Sequence, residues 1–149
     1  MFGMKKSLPE KELETINHPE MGELSYIGFW KGNCKCRIFG CEYIIMLNIF
    51  VEEDSKYEMT AQEKSFKYYC ENIDFLSNEI IRELHAAYEL DDSYDLKCRF
   101  QPSKLIIGQY GDCGVSFRDN TEIRGSSAAQ VVVTILPKIE YFGAEDDYC

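Results

Sequence analysis

The sequence predicts an α+β domain: a mostly antiparallel sheet of about six strands, with a two-helix (or one kinked-helix) insertion packed on one face. Three observations predict it. The chain runs from strand-like sequence through one helical stretch and back to strand-like sequence, an order typical of segregated α and β elements. Only residues 60–90 sustain a helical period over a long stretch. Segments 43–51 and 130–136 are largely apolar on both alternating sets, so each strand is expected to be covered on both faces.

In chain order, residues 1–17 read as a polar, lysine- and glutamate-rich leader, and 18–149 as a single domain. Leu24 and Tyr26 alternate with polar neighbours in a short strand before Gly28. Phe29 to Phe39 reads as a second strand with a turn near Gly32-Asn33, closed by Gly40. Tyr43 to Val51 is the third, with Ile45, Leu47, Ile49 and Val51 on one face and Ile44, Met46 and Phe50 on the other.

A charged loop, Glu52 to Lys56, leads into the helical stretch. Its expected core stripe is Phe66, Tyr69, Cys70 and Ile73, continued by Leu76, Ile80, Leu84, Ala87 and Tyr88. Thr60 and Glu63 have the spacing of a capping box, and Asn72 or Asp74 is placed to cap a second helix. Asp91-Asp92-Ser93 ends the helical region. Pro102 opens the strand Lys104 to Gln109, and Gly111-Asp112 suggests a hairpin turn into Val115 to Arg118. Asp119-Asn120 and Gly125 to Ser127 read as loops. Gln130 to Leu136 is stopped by Pro137, and Lys138 to Phe142 is expected to pair beside it.

A chain of 149 residues fits one domain and buries roughly two-thirds of its unfolded surface. The hydrophobic share of 45% and charged share of 28% are those of a globular protein. A formal charge of −10 argues against nucleic acid and anionic membrane as partners and is compatible with a basic protein. No apolar run approaches the ~18 residues a membrane helix needs, and no apolar stretch follows Lys5-Lys6 as a secretion signal would require. Seven scattered cysteines, an odd number, fit free thiols in a reducing cytoplasm.

Cys34, Cys36 and Cys41 cluster, but no histidine lies near enough to complete a zinc set, so buried thiols are expected and no metal. Asp91, Ser93 and Asp95 lack the glycine and the final carboxylate of a calcium loop: Leu96 and Pro102 stand there. The two histidines, His18 and His85, limit acid–base schemes. His18 is expected to be a structural hydrogen-bonder and His85 a helix-boundary residue. Gly108, Gly111 and Gly114 lie between strands rather than before a helix, which suits a hairpin turn better than a phosphate cradle. Tyr26, Phe29, Trp30 and Tyr43 are a candidate aromatic patch for a small ligand, although strand aromatics are more often core.

Several short motifs together resemble a known family. They are Phe2-Gly3-Met4-Lys5-Lys6; His18-Pro19, Gly22, Leu24 and Tyr26; Trp30 and Gly32; Phe39-Gly40; Thr60, Gln62 and Glu63; and Gly143, Glu145 and Asp146. The chain is similar in these to small bacterial single-domain proteins of unknown function, some suspected from their genomic setting to be immunity proteins of polymorphic toxin systems. The resemblance implies an α+β fold, no catalysis and no cofactor. Where many members carry Glu-His-Gly before the last strands, this chain reads Glu122-Ile123-Arg124-Gly125, so no site residue is carried over.

The resulting expectation is a non-catalytic, protein-binding domain, in its favoured version an immunity-type inhibitor of a bacterial toxin. Three acidic segments are candidates to steer a basic partner: Glu52, Glu53 and Asp54; Asp91, Asp92 and Asp95; and Glu145, Asp146 and Asp147. The rival expectations are a ligand-binding module on the aromatics and a small hydrolase using carboxylates such as Asp119 and Glu122. Self-association through strands 43–51 and 130–136 is also expected, because one helical pair cannot cover both faces.

Overall fold

The computed structural model describes residues 13–148. One sheet of eight strands runs through the domain in sequence order: β1 (Thr15–His18), β2 (Gly22–Tyr26), β3 (Trp30–Ile38), β4 (Cys41–Ile49), β5 (Phe100–Ile107), β6 (Cys113–Arg124), β7 (Ser127–Leu136) and β8 (Glu140–Ala144). Every neighbouring pair is antiparallel except β4–β5, which is parallel. Antiparallel neighbours need only a turn, whereas a parallel pair needs a crossover. Here the crossover is helical: α1 (Thr60–Glu71) and α2 (Ile73–Ala87).

The α+β class and mostly antiparallel sheet are as expected, but the strand count is eight rather than about six. β1 lies partly inside the segment expected as a leader, whose residues 1–12 fall outside the described residues. Several expected breaks are absent. β3 passes through Gly32 without turning, and a Cβ there would lie 2.8 Å from Leu24 Cδ2 and 2.9 Å from the Glu23 carbonyl. Gly32 therefore serves the close approach of β2, not a turn. β5 begins at Phe100, so Pro102 lies inside it, at a register shift toward β6. β6 likewise continues past Asp119-Asn120, absorbing them as an irregularity against β7. The β3–β4 hairpin turns on Phe39 (φ 57°) and Gly40 (φ 72°). Two successive positive φ angles match the twist of a tight hairpin, and Phe39 accepts the conformation that Asn or Gly usually fills.

Both helices pack on one face, and α2 touches β3, β7 and β8. Its first turns meet β3, where Arg37 pairs with Asp74 and its carbonyl accepts from the Ser77 hydroxyl. Its last turns meet β8, where Glu83 accepts from the Tyr141 N–H at 3.0 Å. Five strand spacings come to about 24 Å, and 15 helical residues rise about 22 Å. The helix therefore crosses the strands rather than following one. Leu76, Ile80 and Leu84 are buried in the same core cluster as Leu47, Leu105, Val115 and Val133.

The expected stripe is right for Phe66, Tyr69, Leu76, Ile80 and Leu84, but Cys70 and Ala87 are exposed. The capping box does not form. Met59 is the N-cap residue of α1 and no side chain caps it. Glu63 instead accepts from His18 Nε2 at 2.7 Å, and His18 Nδ1 takes the backbone N–H groups of Glu20 and Met21. Two N–H donors on Nδ1 fix the proton on Nε2, so His18 is the structural hydrogen-bonder expected. Asn72 stands between the helices, but its amide bonds the Tyr68 carbonyl behind it rather than capping α2.

Candidate functional site

The side of the sheet away from the helices is built from the alternate residues of the same strands. On β4 these are Ile44, Met46 and Asn48; across from them stand Lys35, Asn33 and Lys31 of β3, and Lys104 and Ile106 of β5. Ile44 is 69% exposed although it sits on a central strand. Beside it lies an open cleft of about 300 Å³ lined by Asn33, Met46, Gln101, Pro102 and Arg118. The cover expected over 43–51 is thus missing at Ile44.

Over β7 the cover exists, and residues 145–147 supply it. A 3₁₀ turn, Glu145–Asp147, packs on β7. Glu145 Oε1 accepts from the fully buried Ser116 hydroxyl at 2.5 Å, and Oε2 from Lys104 Nζ at 2.5 Å. Ser103 bonds Gln130 Oε1 at 2.9 Å and the Ser116 carbonyl at 3.1 Å, extending the network. Val132, the outward residue opposite Ser116, is wholly buried. The basis expected for self-association therefore fails at 130–136 and persists only around Ile44.

Between this turn and β4 lies a second cleft of about 250 Å³, lined by Asn48, Phe50, Ile106, Glu145, Asp146 and Tyr148. Asn48 is 9% exposed, and its Oδ1 is buried with no hydrogen-bond partner among the described residues. A buried acceptor without a partner costs about 1–3 kcal/mol. Phe29 stacks on Phe50, ring centroids 4.8 Å apart, and holds one wall.

The three acidic segments do not form one surface. β4 and β5 are parallel, so the loop leaving β4 (Glu52, Glu53, Asp54) and the loop entering β5 (Asp91, Asp92, Asp95) lie at opposite ends of the sheet. Asp91 also bonds the Ser93 N–H and hydroxyl, and Asp95 bonds the Lys97 N–H, so both organise their own loop. Only Glu145 to Asp147 reaches the outer face. The aromatic patch divides as well. Trp30 is fully buried, stacks edge-on against Tyr26 at 5.0 Å, and donates its indole N–H to the Lys56 carbonyl at 2.8 Å. Tyr43 lies six residues before Ile49, the partner of Trp30, and so about 20 Å along the strand.

The carboxylates named for hydrolysis are engaged. Asp119 is buried and accepts from Arg99 Nε and Nη2, each at 3.0 Å, and from the Thr121 N–H and hydroxyl. Burial alone would raise its carboxyl, but these donors outweigh that and hold it below the ordinary range. Glu122 pairs with Arg124 at the surface. Cys34 and Cys36 face inward beside Tyr69, and burial raises both thiols, Cys36 to about 11. Neutral thiols bind metal and attack carbon poorly. Cys41 sits apart, by Tyr43 and Lys97.

Sequence reasoning missed Asn48, Lys104 and Ser116. One signal was present: Asn48 is the polar residue in the otherwise apolar outward set of 43–51. Family models, curated proteins and solved structures were all searched with this chain, and none matched.

Proposed function

We propose that this chain is a non-catalytic protein-binding domain that engages its partner with the outer face of the sheet. The observation that carries the reading is Ile44, a large apolar side chain 69% exposed on a central strand, with a polar cleft on its flank. An apolar anchor ringed by hydrogen-bonding groups is how many interfaces concentrate their affinity. The partner we favour is a bacterial toxin, with this chain as its immunity-type inhibitor. The resemblance in the sequence motifs and the formal charge of −10 support that version. The acidic loops at the two ends of the sheet would act at range, raising the association rate with a basic partner. The domain would work in the cytoplasm, where its thiols stay reduced. Among the described residues, no helix is long and apolar enough to cross a membrane.

The test is co-purification with the product of the neighbouring gene, using the wild-type chain and Ile44→Asp. The complex is expected with the wild type and lost with the variant, whose circular dichroism stays unchanged because Ile44 is outside the core. Failure of the wild-type chain to form a complex, or a complex indifferent to Ile44→Asp, would remove the proposal.

A further inference from the structure

The cleft beside Ile44 makes a more specific statement about the partner, and it rests on the protein-binding reading above. Ile44 and Arg118 line this cleft together, with the side-chain amides of Asn33 and Gln101. Directly opposite Ile44 on β3 stands Lys35. Arg118 and Lys35 are exposed, and neither side chain joins an ion pair among the described residues. The apolar centre of the face is thus bracketed by a cation on each side, about 14 Å apart over three strand spacings. Ala128 and Gln130 are alternate residues of β7, so their partners Ile123 and Arg118 share one face. Ile123 is 62% exposed, and Arg118 therefore stands between two bare isoleucines. Other charges nearby are matched: Lys104 by Glu145, and Arg37 by Asp74 with Glu42 opposite. Lys31 and Glu23, exposed on β3 and β2, lie further from Ile44 and offset one another.

In a chain of formal charge −10, unpaired cations around the exposed apolar anchor invert the overall sign locally. Net charge acts at range, but the groups that meet decide a contact. A basic surface seated here would set like charge against Lys35 and Arg118. A second copy docked about a twofold axis at Ile44 would do the same, whether the axis ran along or across the strands. A nucleic acid would find no ring to stack on in this cleft, and the net charge of the chain repels it. A protein segment with carboxylates flanking an apolar side chain meets every group. Its apolar side chain covers Ile44 and Met46, one carboxylate enters the fork of Arg118, and the other reaches Lys35. We infer that the outer face receives an acidic segment of the partner protein, read by Arg118 and Lys35 on either side of Ile44. The partner is then charged in two parts: a basic body drawn by the acidic loops at the ends of the sheet, and an acidic segment at the contact.

The experiment titrates the full chain with the end-blocked peptide Asp-Ala-Leu-Ala-Asp and, separately, with its uncharged isostere Asn-Ala-Leu-Ala-Asn. Extended, this peptide sets its two acidic residues about 13 Å apart, close to the spacing of the two cations. The readout is the backbone NMR signals of residues 42–46, 101–104 and 118. The acidic peptide is expected to shift them saturably, with the isostere at least about tenfold weaker, the loss of two exposed ion pairs. Arg118→Gln is expected to weaken the acidic peptide about fivefold and leave the isostere unchanged. The fold does not depend on this side chain, which is exposed and unpaired. No saturable shift, equal binding of the isostere, or acidic-peptide binding unchanged by Arg118→Gln each overturns the inference. Tighter binding of a short oligothymidylate would assign the face to nucleic acid and overturn it too. A dimer in light scattering that Ile44→Asp abolishes would assign the face to a second copy, with the same result. Arg118→Gln also separates the two proposals. A partner complex that ignores it, with no peptide binding, sinks the acidic segment and leaves the protein-binding reading. Peptide binding that needs Arg118, without any complex with the neighbouring gene product, keeps the acidic segment and removes that partner.

Discussion

Ser116 donates to Glu145 Oε1 at 2.5 Å, so a hydroxyl with no solvent exposure fastens the end of the described chain to the middle of the sheet. Ser116→Ala should leave Glu145 held by Lys104 alone and cost about 1–3 kcal/mol. Hydrogen exchange should then quicken over residues 143–148 and stay unchanged in α2. Uniform quickening across the molecule, or none, would show that this bond does not anchor the turn.

Asp119 supplies a pH dependence. Its carboxyl is held below the ordinary value by Arg99 and Thr121, against the opposing effect of burial. A depressed folded-state value contributes stability that is complete above the unfolded value, about 3.9, and is lost as pH falls through the folded one. Wild-type stability should therefore fall below about pH 4. Asp119→Asn should cost about 1–3 kcal/mol at neutral pH, because it leaves the half-buried Arg99 without its counter-charge, and should flatten that acid limb. Urea unfolding across pH checks both, and an unaltered acid limb in the variant would assign it to another group.

The thiols should divide by burial. Cys98 is exposed, whereas Cys36 and Cys113 are buried and Cys34 is half-buried with its thiol raised by burial. Iodoacetamide at pH 8 should modify Cys98 in the native protein and reach Cys34, Cys36 and Cys113 only on unfolding. Mass mapping that finds Cys34 or Cys36 labelled as fast as Cys98 would contradict the packing under Tyr69.

Two helix substitutions should differ sharply. Leu84 has no exposure, so Leu84→Ala should cost about 2–5 kcal/mol. Thr60 is exposed and caps nothing, so Thr60→Ala should stay within about 0.5 kcal/mol. Chemical unfolding measures both. A Thr60→Ala cost near 1 kcal/mol would instead restore the side-chain cap.

What was legible in the sequence follows from what periodicity can encode. The apolar runs of β4 and β7 and the stripe through Leu76, Ile80 and Leu84 are local patterns, and they fold as read. The capping box misleads because Glu63 has a stronger, non-local partner in His18. β1 escapes because Thr15 to His18 has no apolar alternation, and only pairing with β2 makes it a strand. The Asp119-Asn120 loop escapes because Arg99, 20 residues away, satisfies Asp119 within a strand. The outer-face site was illegible for the same reason. Asn48, Lys104, Ser116 and Glu145 come from four separate elements, and no spacing along the chain announces them.

The single parallel pairing has a consequence for how this chain reaches its fold. Each half, β1 to β4 and β5 to β8, pairs only with its own chain neighbours and needs no distant segment to align its register. Among the described residues, the only long-range alignment of strands is the one that sets Leu47 beside Leu105 and Ile49 beside Ile107. Closing that 58-residue gap concentrates the entropic cost of assembly into one encounter, and the two helices in between shorten the effective loop as they form. Two separately encoded halves, cut between α2 and β5, have complementary edges at that join and are suited to reassemble in trans.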